Sequence, residues 1–353
     1  MTEWAAQQRR ERLEQTNSIV AEATERNRRA RGPLVEGLYP NPPGNDAATK
    51  RRMREYLEFM TGSSRSGEPS WYQRTLQEAG AGQLPPAGAL AQALSEQRER
   101  DEAIASAESE QGQVDAERQA QIDENLVSRR IGEYRRHAQG FSFYADQSVL
   151  GGHPLFPPPS MEARSGAQVP QHEEGYMWMA DAWLLEDILA AVRAANTGAG
   201  GERTEVELSP VKRIVSLSID QLPLFSGGSD QGGAISDGGR GRVPRDPSVS
   251  ITGRISSDAN NVYDVRRVEL ELIASSESLP RVIEAFHNTG MMTVTDLDLE
   301  EFDPWEDLRQ GYVYGNEHVV KASMNIEVIS LRSWTTQFMP ATVKQILGVS
   351  NNR

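Results

Sequence analysis

Apolar residues recur at i, i+3, i+4 and i+7 twice in the second half of the chain, as Leu185, Ile188, Leu189, Val192 and again as Leu279, Val282, Ile283, Phe286. Each set lies on one face of a helix. After each helix the pattern switches to a period of two, the alternation of a half-buried strand. Val215, Leu217 and Ile219 share a face in a strand predicted over 211–220. Val268, Leu270 and Leu272 alternate with Arg267, Glu269 and Glu271 in a strand predicted over about 262–275, with a short strand predicted at 248–253. A strand at 291–300 follows the second helix, and in HVVKASMNIEVISL the residues Val320, Ala322, Met324, Ile326 and Val328 point one way. Ser276 or Ser278 is placed to cap the second helix, Pro280 fits its first turn, and Gly290 is expected to end it with a positive φ.

The order over 176–331 is therefore helix, strand, strand, helix, strand, strand, an internal αββ repeat. Burying four large side chains on a helix stabilises it by about 6–12 kcal/mol, which the ordering of about twelve residues cancels. Both helices are therefore expected against one face of a four-stranded antiparallel sheet, an α+β fold. Glu269, Glu271, Lys321, Asn325 and Glu327 are left for its open face.

The first half has a different texture. Positions 3–31 read as a polar helix whose large apolar residues are Trp4, Leu13, Ile19 and Val20, stopped by Gly32 and Pro33. A proline-rich connector at 35–48 precedes a short helix ending near Met60, and LPPAGA at 84–89 precedes a long helical stretch over about 88–139. Its apolar residues Leu90, Leu94, Ile104, Val114, Ile122 and Leu126 do not sustain a heptad. The organisation expected is a partner-dependent helical extension at 1–140, a proline- and aromatic-rich connector at 141–175, the αββαββ domain at 176–334 with a glycine-rich linker at 226–245, and a tail at 335–353.

Composition supports one modest core rather than two. Only 37% of the 353 residues are hydrophobic, so much of the chain must be solvated helix or loop. The net charge of −14 is unevenly spread: residues 1–61 hold 11 basic and 9 acidic side chains, residues 172–353 hold 16 and 27. An acidic globular region repels phosphate backbones, so no nucleic-acid partner is expected. The absence of cysteine excludes disulfides, thiolate metal sites and cysteine nucleophiles. No run of 18 apolar residues is present, and Arg9, Arg10, Glu11, Arg12 and Glu14 stand where a signal peptide needs an apolar stretch.

Candidate chemistry is sparse. Asp296, Asp298 and Glu300 alternate along a strand and would project from one face, but the sixth position, where a calcium loop needs glycine, is Glu301. His137, His153, His172, His287 and His318 show no i, i+4 pairing for zinc. The glycine-rich stretch lacks the G-K-[ST] of a phosphate loop, and no G-x-S-x-G elbow occurs. Trp178 and Trp183 flank the start of the first helix, either as core or as partner anchors. Neither an enzyme nor a cofactor is expected.

The αββαββ order behind a long polar helix, carried by RRVELELIASSESLPRVIEAFHNTGMMTVTDLDLE and then HVVKASMNIEVISL, resembles the PilO-type proteins of type IV pilus inner-membrane platforms and their GspM-like relatives in type II secretion. The resemblance covers about 155 of the 353 residues. It implies a circularly permuted ferredoxin-like αββαββ domain preceded by long polar helices, with no catalytic residue. The implied role is that of a scaffold, a homodimer or a heterodimer with a related platform subunit, for which Trp4, Leu13, Ile104, Ile122, Leu126 and Trp178 are the interface candidates. This sequence departs from the family in lacking a membrane-spanning helix and in splitting its first αββ half by about forty residues. The location implied is the cell envelope at the periplasmic face of the inner membrane, through a missing anchor or an anchored partner; a cytoplasmic location stays open. The alternative is a regulatory domain that binds a small ligand or a divalent cation at Asp296, Asp298 and Glu300.

Overall fold

Helix α6 (His172–Ala195) is apolar nearly all round, with Tyr176, Met179, Leu184, Leu185, Ile188 and Val192 among its buried residues. Such a helix needs neighbours on every side. The computed structural model, which describes residues 2–42, 44–62, 67–108, 115–150, 171–220, 262–346 and 349, supplies them. A sheet covers one side; α2 (Asp46–Thr61) and α3 (Trp71–Ala79) cover another, adding Met53, Tyr56, Met60, Tyr72 and Leu76 to the same core. Gly175 allows α2 this close, since a Cβ there would lie 2.7 Å from Met53 Cε. Asn45 caps α2 by accepting from the Ala48 amide at 2.7 Å, and Ser70 with Gln73 forms a capping box on α3.

Among the described residues the sheet has six strands: β1 (Ala81–Gly82), β2 (Phe143–Tyr144), β3 (Val211–Ile219), β4 (Tyr263–Ser275), β5 (Met292–Glu301) and β6 (Val319–Leu331), in the order β1-β2-β3-β4-β6-β5. The β1–β2 and β2–β3 pairs are parallel and the rest antiparallel. Register stacks apolar side chains in rows: Leu217 pairs with Leu270 and Leu270 with Met324, while Ile219 pairs with Val268 and Val268 with Ile326. Those rows form a common core with α6 and with α7 (Leu279–Thr289). Among the described residues of 172–331 the order is α6, β3, β4, α7, β5, the short helix α8 (Pro304–Gln310) and β6, an α+β arrangement.

Several expectations need correction. A bulge between Ile214 and Ser216 puts Ile214, not Val215, in the row with Leu217 and Ile219, and turns Val215 toward the opposite face. That face is not open throughout. Tyr134 and Ala138 of α5 (Ala116–Ala138) cover part of it together with Tyr144, Ile273, Val313 and Tyr314. Glu327 is buried on it, opposite Arg267. No side-chain cap is made by Ser278, and the Ser276 hydroxyl bonds His318 Nδ1 at 3.0 Å instead. Gly290 has φ −150°, an extended backbone that any residue adopts.

The domain plan also shifts. Because α2 and α3 share the core of α6, the core does not begin after residue 140. Phe143, Ala145 and Val149 of the expected connector are buried in it too. The long helix expected over 88–139 is two helices, α4 (Ala87–Glu108) and α5, which pack on each other through Arg98–Asp123 at 3.0 Å and Arg129–Gln97 at 2.8 Å. The tail docks as well: α9 (Arg332–Thr335) and α10 (Ala341–Ile346) follow β6, with Trp334, Met339 and Val343 buried. The glycine-rich linker at 226–245 and the strand expected at 248–253 lie outside the described residues.

Candidate interaction surfaces

Helix α1 (Thr2–Ala30) is the longest described element, and from Arg9 to Ser18 every side chain is exposed, Leu13 by 55%. Its polarity explains this: between Arg9 and Ser18, Leu13 is the one large apolar residue, too little to press a face into a core. Directly after α1 the chain is held against α6. Arg31 is buried, donating to the Trp183 carbonyl at 3.2 Å and to Asp187 Oδ2 at 2.5 Å, while Trp183 Nε1 donates to the Gly32 carbonyl at 2.8 Å. Burial pushes the Asp187 carboxyl up against the opposing pull of Arg31. Burial, helped by the charge of Asp187, also pushes its neighbour Glu186 up to about 7.

The six interface residues expected from sequence divide. Leu13 and Ile104 are exposed, the latter by 58%. Leu126 is half-buried, and the side chain of Trp4 lies outside the description. Ile122 on α5 is buried, and Trp178 is a core residue whose ring centre is 6.0 Å from that of Tyr56. Neither is at the surface. Val127 of α5, 56% exposed, is an apolar surface residue that the sequence did not single out.

Asp296, Asp298 and Glu300 do share a face of β5, opposite Asn325, Ser323 and Lys321. They form a row rather than a cage. Lys321 Nζ lies 3.7 Å from Glu300 and 3.5 Å from Glu271, and Asn325 offers its amide to Asp296 at 3.4 Å. Among the described residues no group of three or more His, Asp or Glu side chains is placed to hold a metal ion.

Buried charge is the feature that sequence reasoning missed. Asp181 of α6 pairs with Arg266 of β4 at 2.5 Å, and Asp264 of β4 with Arg332 of α9 at 2.8 Å. With Arg31–Asp187 these are buried ion pairs tying α6 to the segment after α1 and to β4, and β4 to α9. The available signal was an aspartate at 181 and another at 187 inside an otherwise apolar helix, since a buried charge demands a partner. Arg31, Tyr176, Trp183, Asp264 and Arg266 line a cavity of about 30 Å³. On the other face Arg213 stacks 3.9 Å above the Tyr312 ring and meets Asp307 at 2.8 Å, with the Tyr314 hydroxyl donating to the same carboxylate. Arg213 and Tyr312 line a second cavity, also of about 30 Å³. Spaces of that size suit a water or two, not an organic ligand.

The rings of His137 and His172 serve the backbone. His137 Nε2 bonds the Gln83 carbonyl at 2.8 Å, and His172, stacked on Tyr39, bonds the Leu38 carbonyl at 2.9 Å. The His318–Ser276 pair has the reach of a base and nucleophile, yet it lies outside both cavities and closes the corner where the Ser276 amide donates to the His318 carbonyl at 3.0 Å. Among the described residues no helix is long and apolar enough to cross a membrane. Comparisons of this chain with family models, with curated proteins and with solved structures found no match.

Proposed function

We propose that the chain is a non-enzymatic assembly subunit that pairs with a related αββαββ subunit, in the first instance a second copy of itself, with α1 pairing against a helix of the partner. The observation that carries this reading is α1. Polar helices standing in water are marginal, and this one holds ten successive exposed side chains with Leu13 outward. Ile104 and Val127 on the α4–α5 pair add two more exposed apolar side chains.

The strand order β3-β4-β6-β5, antiparallel throughout, supports the rest. It is the order obtained when the first strand of a ferredoxin-like βαββαβ unit is moved to its end, so we read the module as a circularly permuted ferredoxin-like domain. The cellular setting we propose, a pilus or secretion platform at the cell envelope, follows from the resemblance of this order to PilO- and GspM-type subunits. The test compares the solution mass of the full chain with that of a chain lacking residues 2–30. That deletion leaves α2 and α3, and hence the core, in place.

A further inference from the structure

β5 ends the sheet on the side away from β1, and among the described residues β6 is its one strand partner. An edge strand presents a row of unpaired backbone N–H and C=O groups on its open side. With 10 residues, β5 is about twice the usual strand length.

Its side chains divide by face. Asp296, Asp298 and Glu300 stand opposite Asn325, Ser323 and Lys321, whereas Leu297 and Leu299 stand opposite Met324 and Ala322 on the side of the helices. β6 leaves both sets half-satisfied. One lysine is shared between Glu300 and Glu271, and Asp298 faces a serine. Leu299 stays 48% exposed although Ala322 beside it is fully buried.

We infer that the edge of β5 over 296–300 accepts an extended segment of a partner protein as an added strand, one in which Lys or Arg alternates with aliphatic residues. Backbone hydrogen bonds along the edge provide the pairing, and the side chains provide the selection. Basic residues of the added strand meet Asp296, Asp298 and Glu300, and its aliphatic residues cover Leu299. A second copy of β5 is a poor occupant, because an antiparallel self-pair centred on Asp298 sets carboxylates against carboxylates. This edge is thus separate from the subunit pairing proposed above, and its test does not depend on it.

The probe is a fluorescein-labelled heptapeptide alternating lysine and valine, titrated into the full chain at about 0.15 M salt, where exposed charges more than about 8 Å apart are screened. Binding is expected, with slowed amide exchange over 296–300. Two changes should each weaken it about tenfold or more, which is about 1.4 kcal/mol or more. One is the combined variant Asp296→Asn, Asp298→Asn, Glu300→Gln. The other is N-methylation of alternate peptide amides, which keeps the charge, removes backbone donors and leaves the protein untouched. No binding, or binding undiminished by N-methylation, overturns strand addition; binding undiminished in the variant overturns selection for a basic segment.

Discussion

Arg31, one residue beyond α1, meets Asp187 of α6 at 2.5 Å with both side chains nine-tenths or more buried. The ion pair holds the chain to α6 at the point where α1 ends, and Leu34, Val35, Leu38 and Tyr39 then pack on the core. Buried pairs of this kind add little net stability when intact, but removing one partner strands the other. Arg31→Ala should cost about 3–5 kcal/mol in urea unfolding at neutral pH. The double change Arg31→Met with Asp187→Leu should come much closer to the parent. Since burial already pushes Asp187 up, the loss in Arg31→Ala should shrink as pH falls and the stranded carboxyl takes a proton.

Glu186 gives the fold a pH dependence of definite sign. Its carboxyl is pushed up from 4.5 to about 7 by burial and by Asp187, with Glu78 adding to the effect and Arg31 opposing it. Between those two values the folded chain holds a proton that the unfolded chain has lost, so stability falls as pH rises from about 4.5 to 7. The raised Asp187 carboxyl acts in the same direction. Glu186→Gln should flatten this slope and leave the protein more stable than the parent above pH 7, as read from melting temperatures across that range.

Gly175 tests whether residues 34–60 belong to the core. An added Cβ would meet Met53 Cε at 2.7 Å and would collide with the Tyr39 hydroxyl. Overpacking of this kind costs about 1–3 kcal/mol, more than the helix propensity that alanine gains. Gly175→Ala should therefore lower the unfolding midpoint. An unchanged or raised midpoint would mean that α2 and Tyr39 do not press on α6.

On the opposite face Asp307 accepts from both Arg213 and Tyr314, and Arg213 lies flat on Tyr312. Asp307→Ala leaves a largely buried guanidinium and a buried hydroxyl without their acceptor, at about 2–3 kcal/mol. Arg213→Lys keeps the charge but gives up the stacked plane, at about 1 kcal/mol. Chemical unfolding of the two variants should rank them in that order.

The strands and both helices of the αββαββ order were legible because period-two and period-3.6 patterns are set by one buried face each, as in the register of Leu270 with Met324. Features set by distant partners were not. The bulge that turns Val215 over leaves no trace in the alternation, and the two-residue strands β1 and β2 are too short to carry a period. Trp178 could have gone to either surface or core until α2 was placed beside α6. Polarity made 88–139 look like one lone helix, whereas cross-helix pairs such as Arg98–Asp123 fold it back on itself. The acidic row at Asp296, Asp298 and Glu300 was read correctly as one strand face; which strand lay at the edge required the topology.

Pairing of subunits through α1 is read from the mass of the full chain by light scattering over a wide concentration range. If α1 pairs two subunits, the mass is about twice the 39.1 kDa of one chain, falling toward the single-chain value when residues 2–30 are removed. A single-chain mass of the intact protein at every concentration would contradict it.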